Sequence, residues 1–207
     1  MIGKTESVII AVFLFIAFPF TFFVLAWWGS LMLSTPEKAI PVCAFAGLGV
    51  GIAVVISGLR TWLSRFYSAG KILTVPLYLF WSAIALAFFM GLPIGVVTLG
   101  LLAGFYAGRK GYHAGMTTNG FKKYVLKVCV FTSIVTGFVS LAMGILAVQD
   151  ARTMQHILML VGMSSLGATA SGRAVLVVIA VPVLIGVQYW LTSRMAWWGF
   201  GFGRKKA

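Results

Sequence analysis

Six long apolar runs leave this chain few options. They are Val8–Leu33, Ile40–Leu59, Ile72–Met90, Leu92–Gly108, Tyr124–Val148 and Ala174–Ser193. Each matches the roughly 20 residues that a helix needs to cross a hydrocarbon core of about 30 Å. A segment in lipid must satisfy its own backbone hydrogen bonds, so the runs are expected to be helices. Barrel strands would alternate polar and apolar residues, and these runs do not. With 61% hydrophobic and only 9% charged residues, the composition departs from a soluble domain, where about a quarter are charged.

The basic residues then orient the runs. Lys4 precedes the first. Arg60, Arg65 and Lys71 lie between the second and third. Arg109, Lys110, Lys122, Lys123 and Lys127 surround the fourth connector, and Arg194, Arg204, Lys205 and Lys206 follow the sixth. Thirteen of the sixteen Lys and Arg residues therefore fall on one side. The other side receives Lys38, Arg152 and Arg173, with Glu37 and Asp150. Basic residues near span ends stay cytoplasmic. The expectation is an all-α integral membrane protein, a single polytopic domain over 1–207. Its six transmembrane helices form three hairpins, with both termini inside. A bacterial inner membrane fits, with the mitochondrial inner membrane as the alternative. Met1–Ser7 has no cleavable-signal pattern, and the following run is too long for a signal-peptide core, so the first helix is expected to be retained.

Aromatic placement agrees. Trp27 and Trp28 end the first run on the outer side, while Trp62, Trp190, Trp197 and Trp198 lie at inner ends, as interface anchors do. Cys43 and Cys129 approach opposite faces under this threading. They are expected to be free, because a disulfide could not cover that distance.

The segment Gly162–Gly172 breaks the pattern, being mostly Gly, Ala, Ser and Thr. Counting it as a seventh span would place Arg204, Lys205 and Lys206 outside, against the charge rule. A re-entrant or interfacial segment before the last helix preserves the rule. Non-helical backbone at membrane depth must be buried in protein or line a wet cavity. Ser164, Ser165 and Thr169 are therefore candidates for a solute path, together with the stripe Thr132, Thr136 and Ser140 in the fifth run. The bland alternative is a small-residue surface helix and a stripe used for packing.

Close helix packing is expected at Gly100, Gly104 and Gly108 in the fourth run and at Gly47 and Gly51 in the second, because four-residue spacing bares one helix face. Pro19 and Pro182 fall inside the first and last helices and are expected to bend them.

The net charge of +13 points to anionic lipid headgroups rather than nucleic acid, since the basic residues sit in short connectors. Arg60, Arg65, Arg109, Lys110, Lys122 and Lys123 are the candidate contacts for lipid headgroups or a partner. No Asp or Glu lies centrally in a run, so ion-coupled or proton-pumping chemistry lacks its usual membrane-depth group. His113 and His156 fall in connectors on opposite sides and are not expected to share a metal. No cofactor or catalytic residue is assigned. The leading expectation is a noncatalytic membrane subunit that contacts lipid and either other subunits or further copies of itself. The alternative is a small permease, channel or substrate-binding transport component. The weakest is a lipid-modifying enzyme using Arg109, His113 and Lys123 on headgroup phosphate.

Overall fold

A computed structural model describes residues 3–88, 94–149 and 170–202. All regular structure among them is helical. The helices are α1 (Lys4–Met32), α2 (Ile40–Arg65), α3 (Lys71–Phe88), α4 (Ile94–His113), α5 (Thr118–Gln149) and α6 (Ala170–Gly201), with single 3₁₀ turns at Glu37–Ala39 and Phe66–Ser68. Among the described residues, four stretches are long and apolar enough to cross a membrane: Glu6–Met32, Glu37–Ser68, Thr118–Leu146 and Ala174–Gly201. Ile72–Phe88 is a shorter apolar helix. α4 spans 20 residues, but its glycines and the terminal Arg109, Lys110 and His113 dilute its apolar character.

The chain forms two compact units, Met1–Ala69 and Gly70–Ala207. In the first, α1 and α2 make a helical hairpin. α1 ends in a Schellman-type turn: the Thr35 N–H reaches the Ser30 carbonyl at 3.1 Å, and Ser34 takes a left-handed φ of 51°. Pro36 prevents continuation, and Pro41 lies in the first turn of α2, where a missing N–H costs nothing. Left-handed backbone costs an L-residue about 1–2 kcal/mol. Ser34→Gly is therefore expected to stabilise the protein by about 1 kcal/mol, read as a higher midpoint in detergent-solubilised thermal unfolding.

The α1–α2 contact follows the glycine spacing of the second run. A Cβ at Gly47 would lie 2.5 Å from the Phe22 carbonyl oxygen, and one at Gly51 would lie 2.5 Å from Pro19 Cα. Only bare backbone fits there. Phe18 stacks on Trp62 with ring centroids 4.4 Å apart, and the Tyr67 hydroxyl donates to Glu6 Oε1 at 2.6 Å. The start of α1 and the end of α2 therefore meet.

In the second unit α4 and α6 run parallel. Gly100 faces Gln188, Gly104 faces Thr192, and Gly108 faces Ala196 and Phe200, so residue numbers rise together. α5 runs antiparallel to α6: Thr132 meets Thr192, while Gly144 meets Val177. α3 packs on α4, and its Tyr78 ring lies 5.4 Å from Phe131 of α5.

α6 continues past Ser193, where the apolar run ends, because its last turns are packed. Phe200 stacks on Phe121 at 3.9 Å, and Trp197 meets the same ring edge-on at 5.0 Å. Trp197 and Trp198 are partly exposed, so they pack on neighbouring rings as well as facing outward. α4 ends at Gly115, whose φ of +62° suits a residue without Cβ, and the Met116 N–H closes onto the Gly111 carbonyl. Thr117 then caps α5, its hydroxyl accepting from the Gly120 N–H at 3.3 Å.

Candidate functional site

Two polar constellations stand out in the second unit. The first lies at the depth of the apolar helices, where α4, α5 and α6 meet. Thr132, Thr136, Gln188 and Thr192 are fully buried, and Ser133 and Ser140 nearly so. Thr192 is the hub. Its hydroxyl donates to the Gly100 carbonyl at 3.2 Å, accepts from Gln188 Nε2 at 3.1 Å, and lies 3.3 Å from the Thr132 hydroxyl. Thr132 also reaches the Cys129 carbonyl at 3.1 Å, and Ser133 reaches the Ile185 carbonyl at 3.5 Å.

Gly100 makes this arrangement possible. The space a Cβ would occupy is filled by the Gln188 amide nitrogen. One hydroxyl therefore ties three helices together, at a net gain per bond of about 0.5–1.5 kcal/mol. Each hydroxyl has a single proton to give. If Thr132 donates to Cys129, Thr192 is left to serve either Thr132 or Gly100. The node thus has two hydrogen-bond arrangements.

It also holds unmet demand. Among the described residues, Thr136 Oγ1, Ser140 Oγ and Gln188 Oε1 are buried without a hydrogen-bond partner. Thr136 and Ser140 are one turn apart. The antiparallel register set by Thr132 and Thr192 places Thr136 level with Gln188. An unsatisfied buried group costs about 1–3 kcal/mol. All members are neutral hydroxyls or an amide, able to hold water or a polar group but unsuited to acid–base catalysis near neutral pH.

The second constellation closes the end of α6. Arg109 is only 5% exposed. Its guanidinium donates to the Phe202 carbonyl and, at 3.5 Å, to that of Gly199. It lies 4.7 Å from the Tyr112 ring centroid, and its other Nη is 3.3 Å from His113 Nε2. A cation at a helix C-terminus meets carbonyls that lack intrahelical donors and the negative end of the dipole. His113 belongs to the last turn of α4 rather than to the connector, because Arg109 one turn earlier holds its ring.

The stripe Thr132, Thr136 and Ser140 is brought together with α6. Ser164, Ser165 and Thr169 lie outside the described residues, as does His156; only Ala170–Gly172 of the small-residue segment is described, as the first turn of α6. Arg60 and Arg65 are exposed in the last turns of α2, Lys122 and Lys123 are exposed at the start of α5, and Lys110 is half-buried, its Nζ 5.8 Å from the Tyr106 ring centroid. Gln188 and Thr192 were not singled out by sequence. Their signal was nevertheless present: Gln188 is the only amide in the last apolar run, and Thr192 follows it by one turn. Cys43 and Cys129 are both free. Among the described residues no three His, Cys, Asp or Glu side chains come together as metal ligands.

Fold and apolar helices together define the class, an all-helical multi-pass membrane protein. No family model matches the chain, and no curated protein or solved structure does either.

Proposed function

We propose that this chain is a noncatalytic subunit of a larger inner-membrane assembly, crossing the bilayer six times with both termini inside. Parallel α4 and α6 are what such threading requires of two outward-to-inward helices. The contact of Gly144 with Val177 supports it further. The end of α5 and the start of α6 lie on the same side of the unit, as the two arms of a helical hairpin do. The thirteen-to-three distribution of Lys and Arg puts the Arg109 end inside.

The observation that carries the scaffold role is the closure of the polar node on its own helices through Thr192. Its donors, and the glycines opposite them, are used for packing. Purification in mild detergent from native membranes tests it: the protein is expected to co-migrate with other membrane subunits. Isolation as a stable, fully functional monomer would overturn it.

The orphaned oxygens of Thr136, Ser140 and Gln188 favour a second reading, a small permease or channel with a polar route along α5. Osmotic shrinkage of phosphatidylcholine vesicles against glycerol separates the two. A scaffold leaves the rate at that of empty vesicles, whereas a route gives a flux abolished by Thr136→Val. Gln188→Met offers an independent check. It loses one hydrogen bond but removes an orphaned oxygen at similar length, so unfolding stability is expected within about 1 kcal/mol of the parent.

A further inference from the structure

The outer face of the α5–α6 pair carries an open groove of about 720 Å³, walled by Ile134, Gly137 and Leu141 of α5 and Val181, Gly186 and Tyr189 of α6. Gly186 leaves it open, while Gly137 lets its floor be filled. At Gly137 the Ile185 side chain closes in, since a Cβ would lie 2.8 Å from Ile185 Cδ1; at Gly186 a Cβ would meet nothing within 4 Å. The groove begins at Val130 and ends at Leu141, about 16 Å along the helix at ~1.5 Å per residue. That is close to half of a ~30 Å hydrocarbon core, the depth of one leaflet.

Its ends differ in charge. One turn before Val130 lies Lys127, and one turn further lies Lys123, on the same face of α5 because their spacing is helical. Both are exposed, as is Arg194 on α6, whose guanidinium lies 5.8 Å from the Trp190 ring centroid. Between Gly70 and Ala207 the sequence has one acidic side chain, Asp150. It follows the opposite end of α5. The basic end of the groove therefore has no acidic side chain from its own end of the unit.

We infer that the groove binds one anionic phospholipid of the leaflet at the Lys127 end. One acyl chain lies along Gly137 and Gly186, with the headgroup phosphate at Lys123 and Lys127. The depth of the groove fits a single chain from that leaflet, and the cations select the headgroup at roughly 1 kcal/mol each. The inference rests on α5 and α6 crossing a bilayer, and on neither the scaffold nor the transport role.

The full chain is reconstituted in phosphatidylcholine vesicles containing a little phosphatidylglycerol with a photoactivatable diazirine in one acyl chain. After illumination, labelled peptides are mapped by mass spectrometry. Adducts are expected on Ile134–Leu141 and Val181–Tyr189, competed by unlabelled phosphatidylglycerol and not by phosphatidylcholine of the same chains. Gly186→Leu fills open space without a clash and should lower labelling there about ten-fold. Lys123→Gln with Lys127→Gln should remove about ten-fold of the headgroup preference. Equal labelling on all exposed faces of α5 and α6, or labelling unchanged by Gly186→Leu, overturns the inference while leaving the membrane reading intact. Disulfide capture of a second copy through Gly186→Cys, with loss of label, also overturns it by giving the groove to another protomer. No labelling anywhere on α5 or α6 would overturn both the site and the bilayer placement beneath it.

Discussion

Gly104→Leu is expected to separate α4 from α6 and to cost about 3 kcal/mol or more, at the upper end of what overpacking does. A Cβ at Gly104 meets the Thr192 backbone itself, its carbonyl oxygen foremost and its Cα at 3.1 Å. A flexible side chain could turn away from such a contact, but a helical carbonyl cannot without moving the helix. Displacing α6 there also pulls the Thr192 hydroxyl from Gly100 and unseats Gln188, so the loss spreads through the node. Unfolding in detergent, followed by tryptophan fluorescence, measures the effect. Gly186→Ala is the control, because open space surrounds that Cβ position, and it should match or exceed the parent. Equal stability of Gly104→Leu and Gly186→Ala would show that backbone contact does not hold α4 to α6.

Arg109→Ala is expected to fray the last turns of α6 and to lower stability by about 2–4 kcal/mol. Hydrogen bonds to a charged group contribute about 1.5–3 kcal/mol, and the contact with the Tyr112 ring adds about 0.5–1 kcal/mol. The carbonyls of Gly199 and Phe202 lose their donor, and Phe200 loses the restraint that keeps it stacked on Phe121. Arg109→Lys should recover only part, because an ammonium keeps the charge without the planar fork that reaches two carbonyls. Amide hydrogen exchange gives the local readout. Protection should fall over 197–202 and persist through the Thr132 region of α5. Unchanged exchange at the end of α6 would remove the capping role from Arg109.

The helices themselves were legible because their cause is local. Six apolar runs of bilayer length predict six helices, and the described helices overlap all six. Glycine spacing in the second and fourth runs also marked the faces where backbone is approached. Their partners were not marked to the same degree. Gly47 and Gly51 pack on the sequence neighbour α1, as a short turn suggests. Gly100, Gly104 and Gly108 pass over both hairpin neighbours and pack on α6, roughly ninety residues away. That choice depends on Gln188, Thr192 and Ala196 presenting a matching four-residue ridge, and on the space Gly100 leaves for an amide. The end of α6 was misplaced for a similar reason. Hydropathy falls after Ser193, yet Phe121 and Arg109 supply the packing and the donors that keep the helix going to Gly201.

The stripe Thr132, Thr136 and Ser140 sits between these cases. Its spacing showed that one face of α5 is polar. Whether that face meets solvent, solute or another helix was decided by what packs on it. Sequence alone thus determined the helices, their apolar character and the unequal charge of their connectors, because chain length, hydropathy and the cost of bare backbone act residue by residue. Tertiary structure decided that α4 lies parallel to α6, that Thr192 becomes a three-helix hub, and that Arg109 turns its charge onto carbonyls of its own chain. Those outcomes depend on surfaces that become neighbours only when distant helices pack.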